Sequence, residues 1–291
     1  MIAHSQQMEL NVSVRSVTQL LLSMLSMLVC TPQINAAEDN APTLGISAAH
    51  WPPYIYHHND VLTGEDYELL KQILAHMHYD LQSYPLPERR VGEQIARGGI
   101  DIVVGAARNE DRQRNNLFSI PYRAEFIGFA YLPERASEFA GKTLFQLLSE
   151  GHTLALNTSG WYGSEFEEKI ASRFPKQLIH LESVKRRLAF LKRERVDLIL
   201  DDTAVLQFTA DSNDIALTLG NEIIQKQNVH FMFSKYSVSP EFVSQFNEVL
   251  QNYLNERPGL AAVASEVAIG EQKPSLFENM RRDETAHSQQ Q

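Results

Sequence analysis

The sequence predicts an α/β fold built from two successive sets of strands and helices. Three observations predict it. Between residues 44 and 104, short apolar runs alternate with segments of helical periodicity, the pattern of a parallel sheet. The same alternation resumes after residue 154, so the second set echoes the first as a second lobe would, although no fixed-period repeat is present. The chain has 291 residues, enough for one large or two modest domains.

The elements follow in order. Leu44-Gly45-Ile46 reads as the first strand and leads into a turn-forming aromatic loop, His50-Trp51-Pro52-Pro53-Tyr54. Gly64 opens a helix in which Tyr67, Leu70, Ile73, Leu74 and Met77 share one face. A second strand and a helix over about Val91–Arg97 lead to a third strand, Ile100–Val104. Phe126–Leu132 is a further apolar run. In the second set, Leu154–Leu156 is a strand, and Ser164 with Glu167 spells a capping box for a helix reaching Phe174. Val184, Leu188 and Leu191 mark the next helix, with strands expected at Asp197–Leu200, Ile215–Leu219 and Asn228–Phe233. Ser239-Pro240-Glu241 is a helix start with a Ser cap and Pro at the first position. Phe242, Phe246, Val249, Leu250 and Tyr253 give that helix an apolar face.

Composition narrows the function. The chain is 43% hydrophobic and 21% charged, a globular balance, and its net charge of −10 disfavours nucleic acid, which needs a basic surface. Arg15, the apolar run Leu20–Val29 and Ala36-Ala37 have the layout of a secretory signal peptide, and the run is about half the ~20 residues of a spanning helix. The single cysteine, Cys30, ends that run, so a chain cleaved after Ala36 or Ala37 has no thiol for disulfides, catalysis or metal. His57-His58 and the pair His76 and His78 form no clear ligand set.

Four places carry chemistry, each with a plainer alternative. Trp51 at a strand end is a stacking platform or a packing residue. Arg112 follows a strand in a position suited to gripping a carboxylate, or is one surface arginine among Arg108, Glu110, Asp111 and Arg114. The loop Asn157–Gly163, with Ser159, Gly160, Trp161 and Tyr162, offers backbone N–H groups to an anion or is a capped turn. Asp202, in Asp201-Asp202-Thr203, points into a cleft to receive an ammonium, or caps a helix.

Taken together, these pieces resemble the extracytoplasmic solute-binding proteins of polar amino acid uptake, family 3. The matching order is Trp51-Pro52-Pro53-Tyr54, Gly64, Gly98-Gly99-Ile100-Asp101, Asp111-Arg112, Phe118-Ser119 with Pro121-Tyr122, and Arg195-Val196-Asp197 through Asp202, spanning about Leu44–Leu254. The resemblance implies a type II periplasmic-binding-protein fold: two α/β lobes joined by two crossover strands, with a ligand cleft between them. It divides the chain into a signal peptide (1–37), lobe 1 (42–127 plus 229–260), lobe 2 (128–228) and a tail (261–291) with a disordered end. It assigns Trp51 to stacking, Arg112 to the ligand's α-carboxylate, Asp202 to its α-ammonium and Ser159–Tyr162 to the second lobe's share of the carboxylate site. Tyr54 belongs to the same aromatic loop. The chain departs from the common amino acid binders where a hydroxyl residue gives way to Ala106, Ala107 or Arg108, at Ala48, and at Glu88 near Arg90, where a second aromatic is often found.

The expected function is a monomeric periplasmic protein without cofactor. It would capture a small zwitterionic or anionic ligand, an amino acid or related compound, for an ABC permease or a membrane sensor. The alternatives are a cyclohexadienyl dehydratase-like enzyme on the same fold, with Glu88 or His50 as general acid, and a soluble sensory partner of a membrane signalling protein.

Overall fold

The computed structural model describes residues 41–47 and 49–256. The expected leader, Cys30, Ala48 and the chain beyond residue 256 lie outside them. The first half contains β1 (Thr43–Ser47), a hairpin of β2 (Tyr56–His58) and β3 (Val61–Thr63), α1 (Glu65–His76), β4 (Asp80–Tyr84), α2 (Glu88–Ala96), β5 (Ile102–Ala107), α3 (Glu110–Asn115) and β6 (Asn116–Phe118). β1 pairs in parallel with both β4 and β5. Leu69, Leu70, Ile73 and Leu74 of α1 are buried. They join a core that includes Ile46, Ile102, Phe231 and Phe246. Burying each such side chain is worth about 1.5–3 kcal/mol.

The second half runs through β7 (Arg123–Tyr131), α4 (Ala136–Phe139), α5 (Leu144–Ser149), β8 (Leu154–Leu156) and α6 (Ser164–Phe166). It continues through β9 (Leu178–His180), α7 (Val184–Lys192), β10 (Leu198–Asp202) and α8 (Thr203–Asp211). β10, β8 and β9 are parallel. The last elements are β11 (Thr218–Ser234) and α9 (Pro240–Asn255). The strand order is β4-β1-β5-β11-β7-β10-β8-β9, with β6 on β11. Each parallel set is therefore flanked by one antiparallel strand, β11 beside β5 and β7 beside β10. β7 and β11 pair antiparallel and join the two sets, with register shifts between Leu219 and Gln225.

The structure moves several expected boundaries. The runs at Ile215–Leu219 and Asn228–Phe233 belong, from Thr218 on, to one 17-residue strand. The strand expected over Asp197–Leu200 reaches Asp202. The helix expected from Val91 begins at Glu88. The capping box at Ser164 does not form: Gly163, at φ 95°, is the cap, and Ser164 is already helical. The helix then continues as a π-helical turn over Glu167–Ala171. A capping box does form at α5, where Thr143 and Gln146 satisfy each other's backbone N–H groups.

Candidate ligand-binding site

A cavity of about 200 Å³ opens at the C-terminal ends of β1, β5 and β10, the place where open α/β sheets bind ligands. Both halves line it. Ser47, Trp51, Glu88 and Arg112 come from the first, and Asn157, Ser159, Gly160, Trp161, Tyr162 and Asp201 from the second. The joining strands β7 and β11 contribute Glu125, Ile127 and Gln227. Ile55, Val91, Val103 and Val104 make much of the remaining wall apolar.

Arg112 is set by its own short helix. Asn109 caps α3, its Oδ1 accepting from the Arg112 N–H at 2.9 Å. The guanidinium turns back, and Nη1 donates to the Ala107 carbonyl at 3.0 Å. Burial lowers its pKa, opposed by the charge of Glu125, yet arginine stays protonated in proteins. Among the described residues it pairs with no carboxylate.

Beneath the cavity lies a buried ion pair. Arg123 grips Asp66 with two parallel bonds, Nε to Oδ1 at 2.9 Å and Nη2 to Oδ2 at 3.0 Å. Tyr122 donates its hydroxyl to Asp66 at 2.5 Å and accepts from the Gly105 N–H at 2.8 Å. The Arg123 guanidinium covers the Tyr54 ring at 3.4 Å and lies 5.2 Å from the Trp51 ring. Gly105 sits at φ 66°, and a Cβ there would meet the Trp51 ring at 2.5 Å, so both backbone conformation and space require glycine.

Side chains also bridge the two halves directly. Trp51 Nε1 donates to Asp201 Oδ1 at 3.1 Å. The Tyr54 hydroxyl donates to Asp202 Oδ1 at 3.3 Å. Asn157 Nδ2 donates to Glu88 Oε2 at 3.0 Å. Arg89 pairs with Glu182 at 3.1 Å at the exposed rim.

The carboxyl groups differ in state. Asp201 is buried and paired with Arg187, itself fully buried. Burial pushes Glu125 up to about 8, the attraction of Arg123 notwithstanding, and Gln227 donates to it at 2.5 Å. Burial likewise raises Glu88 to about 7, partly offset by the hydrogen bond from Asn157. Two lining residues hold a buried polar atom with no protein partner, Ser47 Oγ and Gln227 Oε1. Among the described residues no group of three or more His, Cys, Asp or Glu is placed to hold a metal.

The sequence profile of the family described as bacterial extracellular solute-binding proteins, family 3, matches residues 44–257. The chain belongs to that family. Solved structures similar to it include a mutant of ArgBP from T. maritima, with 19% identity, a TM-score of 0.64 and coverage of 78% of this chain and 94% of that one. A histidine kinase sensor domain with similarity to periplasmic binding proteins gives 19% identity, a TM-score of 0.65, and coverage of 78% and 96%. An arginine 3rd transport system periplasmic binding protein from Legionella pneumophila gives 17% identity, a TM-score of 0.61, and coverage of 77% and 99%. These likenesses establish the fold. No curated protein matches this sequence.

Within this family 3 chain, the structure sorts the residues expected from sequence. Trp51, Glu88, Arg112, Ser159, Gly160, Trp161 and Tyr162 line the cavity. Asp202 does not. Its carboxylate caps α8, accepting from the N–H groups of Ala204 and Val205, and it also accepts from Phe126 N–H. The neighbouring Asp201 lines the cavity instead. Tyr54 is buried away from the lining, between Asp202 and Arg123. Arg90 and Arg108 are exposed, Arg108 donating to Gln113 at 2.9 Å. His50 is exposed and outside the lining.

Sequence reading missed Asp66, Arg123, Glu125, Arg187 and Gln227. A signal existed for two of them. Arg123 and Glu125 interrupt an otherwise apolar strand run, and a buried charge needs a partner. Gln227 gave none, because it stands among the polar residues Gln225, Lys226 and Asn228. Asp66 had none, because an acidic residue in the first turn of a helix is accounted for by the helix dipole alone.

Proposed function

We propose that this family 3 chain is a monomeric periplasmic solute-binding protein that captures a small carboxylate-bearing molecule, an amino acid or related zwitterion or anion. Its two lobes close on the ligand by hinge motion in β7 and β11, and the closed form is read by an ABC permease or a membrane sensor. One observation carries the reading. Arg112 presents an unpaired guanidinium in a cavity walled by both halves of the sheet, and such a planar fork matches a carboxylate with two hydrogen bonds. The register shifts of β11 against β7 favour these strands as the place where bending occurs. The transport-system protein and the kinase sensor domain that share the fold make uptake and sensing the two destinations considered.

A thermal-shift screen of amino acids, small peptides and organic acids tests this. A ligand at 100 times its Kd should stabilise the protein by about 2.7 kcal/mol, and Arg112→Ala should abolish the shift while the unliganded protein stays folded. A silent screen, or a shift kept by the variant, overturns the reading. The raised pKa values of Glu88 and Glu125 are what a general acid would need. We read the protein as non-catalytic, so prephenate should give no phenylpyruvate, and turnover would favour the dehydratase.

A further inference from the structure

We propose that the cavity takes a small organic carboxylate with an apolar body and no charged amine, because Arg112 is the only cation among its described lining residues and the aspartates beside it are taken by the protein's own donors. The inference rests on the solute-binding reading and narrows its ligand.

An ammonium group needs a free carboxylate. Asp201 has none to give: Oδ1 accepts from Trp51 and from the Asp202 N–H at 2.8 Å, and Oδ2 is bound by Arg187. Arg187 has no other ion-pair partner among the described residues. An ammonium that drew Asp201 away would strand a fully buried guanidinium, an outcome proteins avoid because a buried charge without its partner is costly. Asp202 is further from reach, with its helix cap, the Phe126 N–H and the Tyr54 hydroxyl already on it. Its attachment to α8 fixes its direction.

The two glutamates do not replace them. Each already accepts an amide bond, Glu88 from Asn157 and Glu125 from Gln227. Burial favours their protonated forms, which adds a hydroxyl donor to each group and weakens its pull on an ammonium. The aromatic faces are engaged too, since the Arg123 guanidinium lies against Trp51 and Tyr54 and would repel a second cation.

What is left open suits an anion. Ser47 belongs to the lining and its buried hydroxyl has no protein partner, a spare donor that would have to rotate into the cavity to meet a carboxylate held by Arg112. Val91, Val103, Val104, Ile55 and Trp161 then surround the rest of the molecule with apolar surface.

Matched pairs that differ only in the amine decide the point. Calorimetric titration of the full chain would compare 3-phenylpropanoate with phenylalanine, and 4-methylpentanoate with leucine. The expected result is at least tenfold tighter binding of the amine-free member, lost in Arg112→Ala. A companion variant, Arg187→Met, releases Asp201 and should move the preference toward the amino acid. Equal or tighter binding of phenylalanine or leucine by the wild-type chain overturns this inference and leaves the solute-binding reading standing. If neither pair nor a wider set of amine-free carboxylates binds while amino acids do, the result is the same. If neither these nor any amino acid or peptide binds, both fall. The wild-type comparison stands even where a variant fails to fold.

Discussion

Glu125 sits where strand chemistry and site chemistry conflict. β7 is buried along most of its length, and a carboxyl there is costly to ionise despite the nearby Arg123 guanidinium. Its pKa is pushed up to about 8 from the model-peptide value of 4.5. The folded protein therefore holds this proton more tightly than the unfolded chain does. The resulting stabilisation is complete below the unfolded value and is lost as pH rises through about 8. Glu88, raised to about 7, acts in the same direction. We expect the melting temperature to fall from about pH 5 to about pH 8, and Glu125→Gln to flatten that fall. A wild-type profile that rises over this range would contradict the assignment. Residues of this kind mark the limit of sequence reading. Arg112 and Trp51 were legible because strand ends announce themselves. The choice between Asp201 and Asp202 was not, since one step along a strand turns a side chain to the opposite face, and only the position of α8 fixes which carboxylate becomes its cap.

At the level of elements, the two capping-box patterns make the clearest comparison. Thr143-x-x-Gln146 and Ser164-x-x-Glu167 spell the same signal, and only the first is realised. Gly163 decides the second, because its left-handed φ lets it occupy the cap position and moves Ser164 into the helix. Thr143→Ala should cost about 1 kcal/mol, whereas Ser164→Ala should stay within about 0.5 kcal/mol. Chemical denaturation of both variants checks the pair, and equal losses would refute it. The main helices were readable because α1 and α9 carry sustained apolar stripes and explicit starts at Gly64 and Ser239. The β2–β3 hairpin was not, since three-residue strands give too little alternation. Its turn rests on Asn59 and Asp60, both at positive φ, residue types that tolerate that conformation. The length of β11 was hidden for a different reason. Its exposed and half-buried stretch from Gly220 to Lys226 lacks the continuous apolar run found at either side of it.

The molecule as a whole consists of two parallel sets tied by a β7–β11 pair, and the family's order of motifs made that plan legible before any contact was known. The way the sets meet was not, because it depends on pairs as far apart in sequence as Trp51 and Asp201 or Tyr54 and Asp202. Those bridges have a kinetic consequence. In the proposed binding cycle, a cleft latched by its own side chains would admit a ligand only during the intervals when the latches part. Opening then sets a ceiling on how fast the protein can load, however abundant the solute. Stopped-flow traces of Trp fluorescence should reach a plateau rate with rising ligand concentration, and Asn157→Ala, which removes the link to Glu88, should raise that plateau. A rate that climbs in proportion to concentration throughout, unaffected by the variant, would show that the latch does not gate entry. On this view Trp51 and Asn157 act as timekeepers, setting how often the protein samples its surroundings.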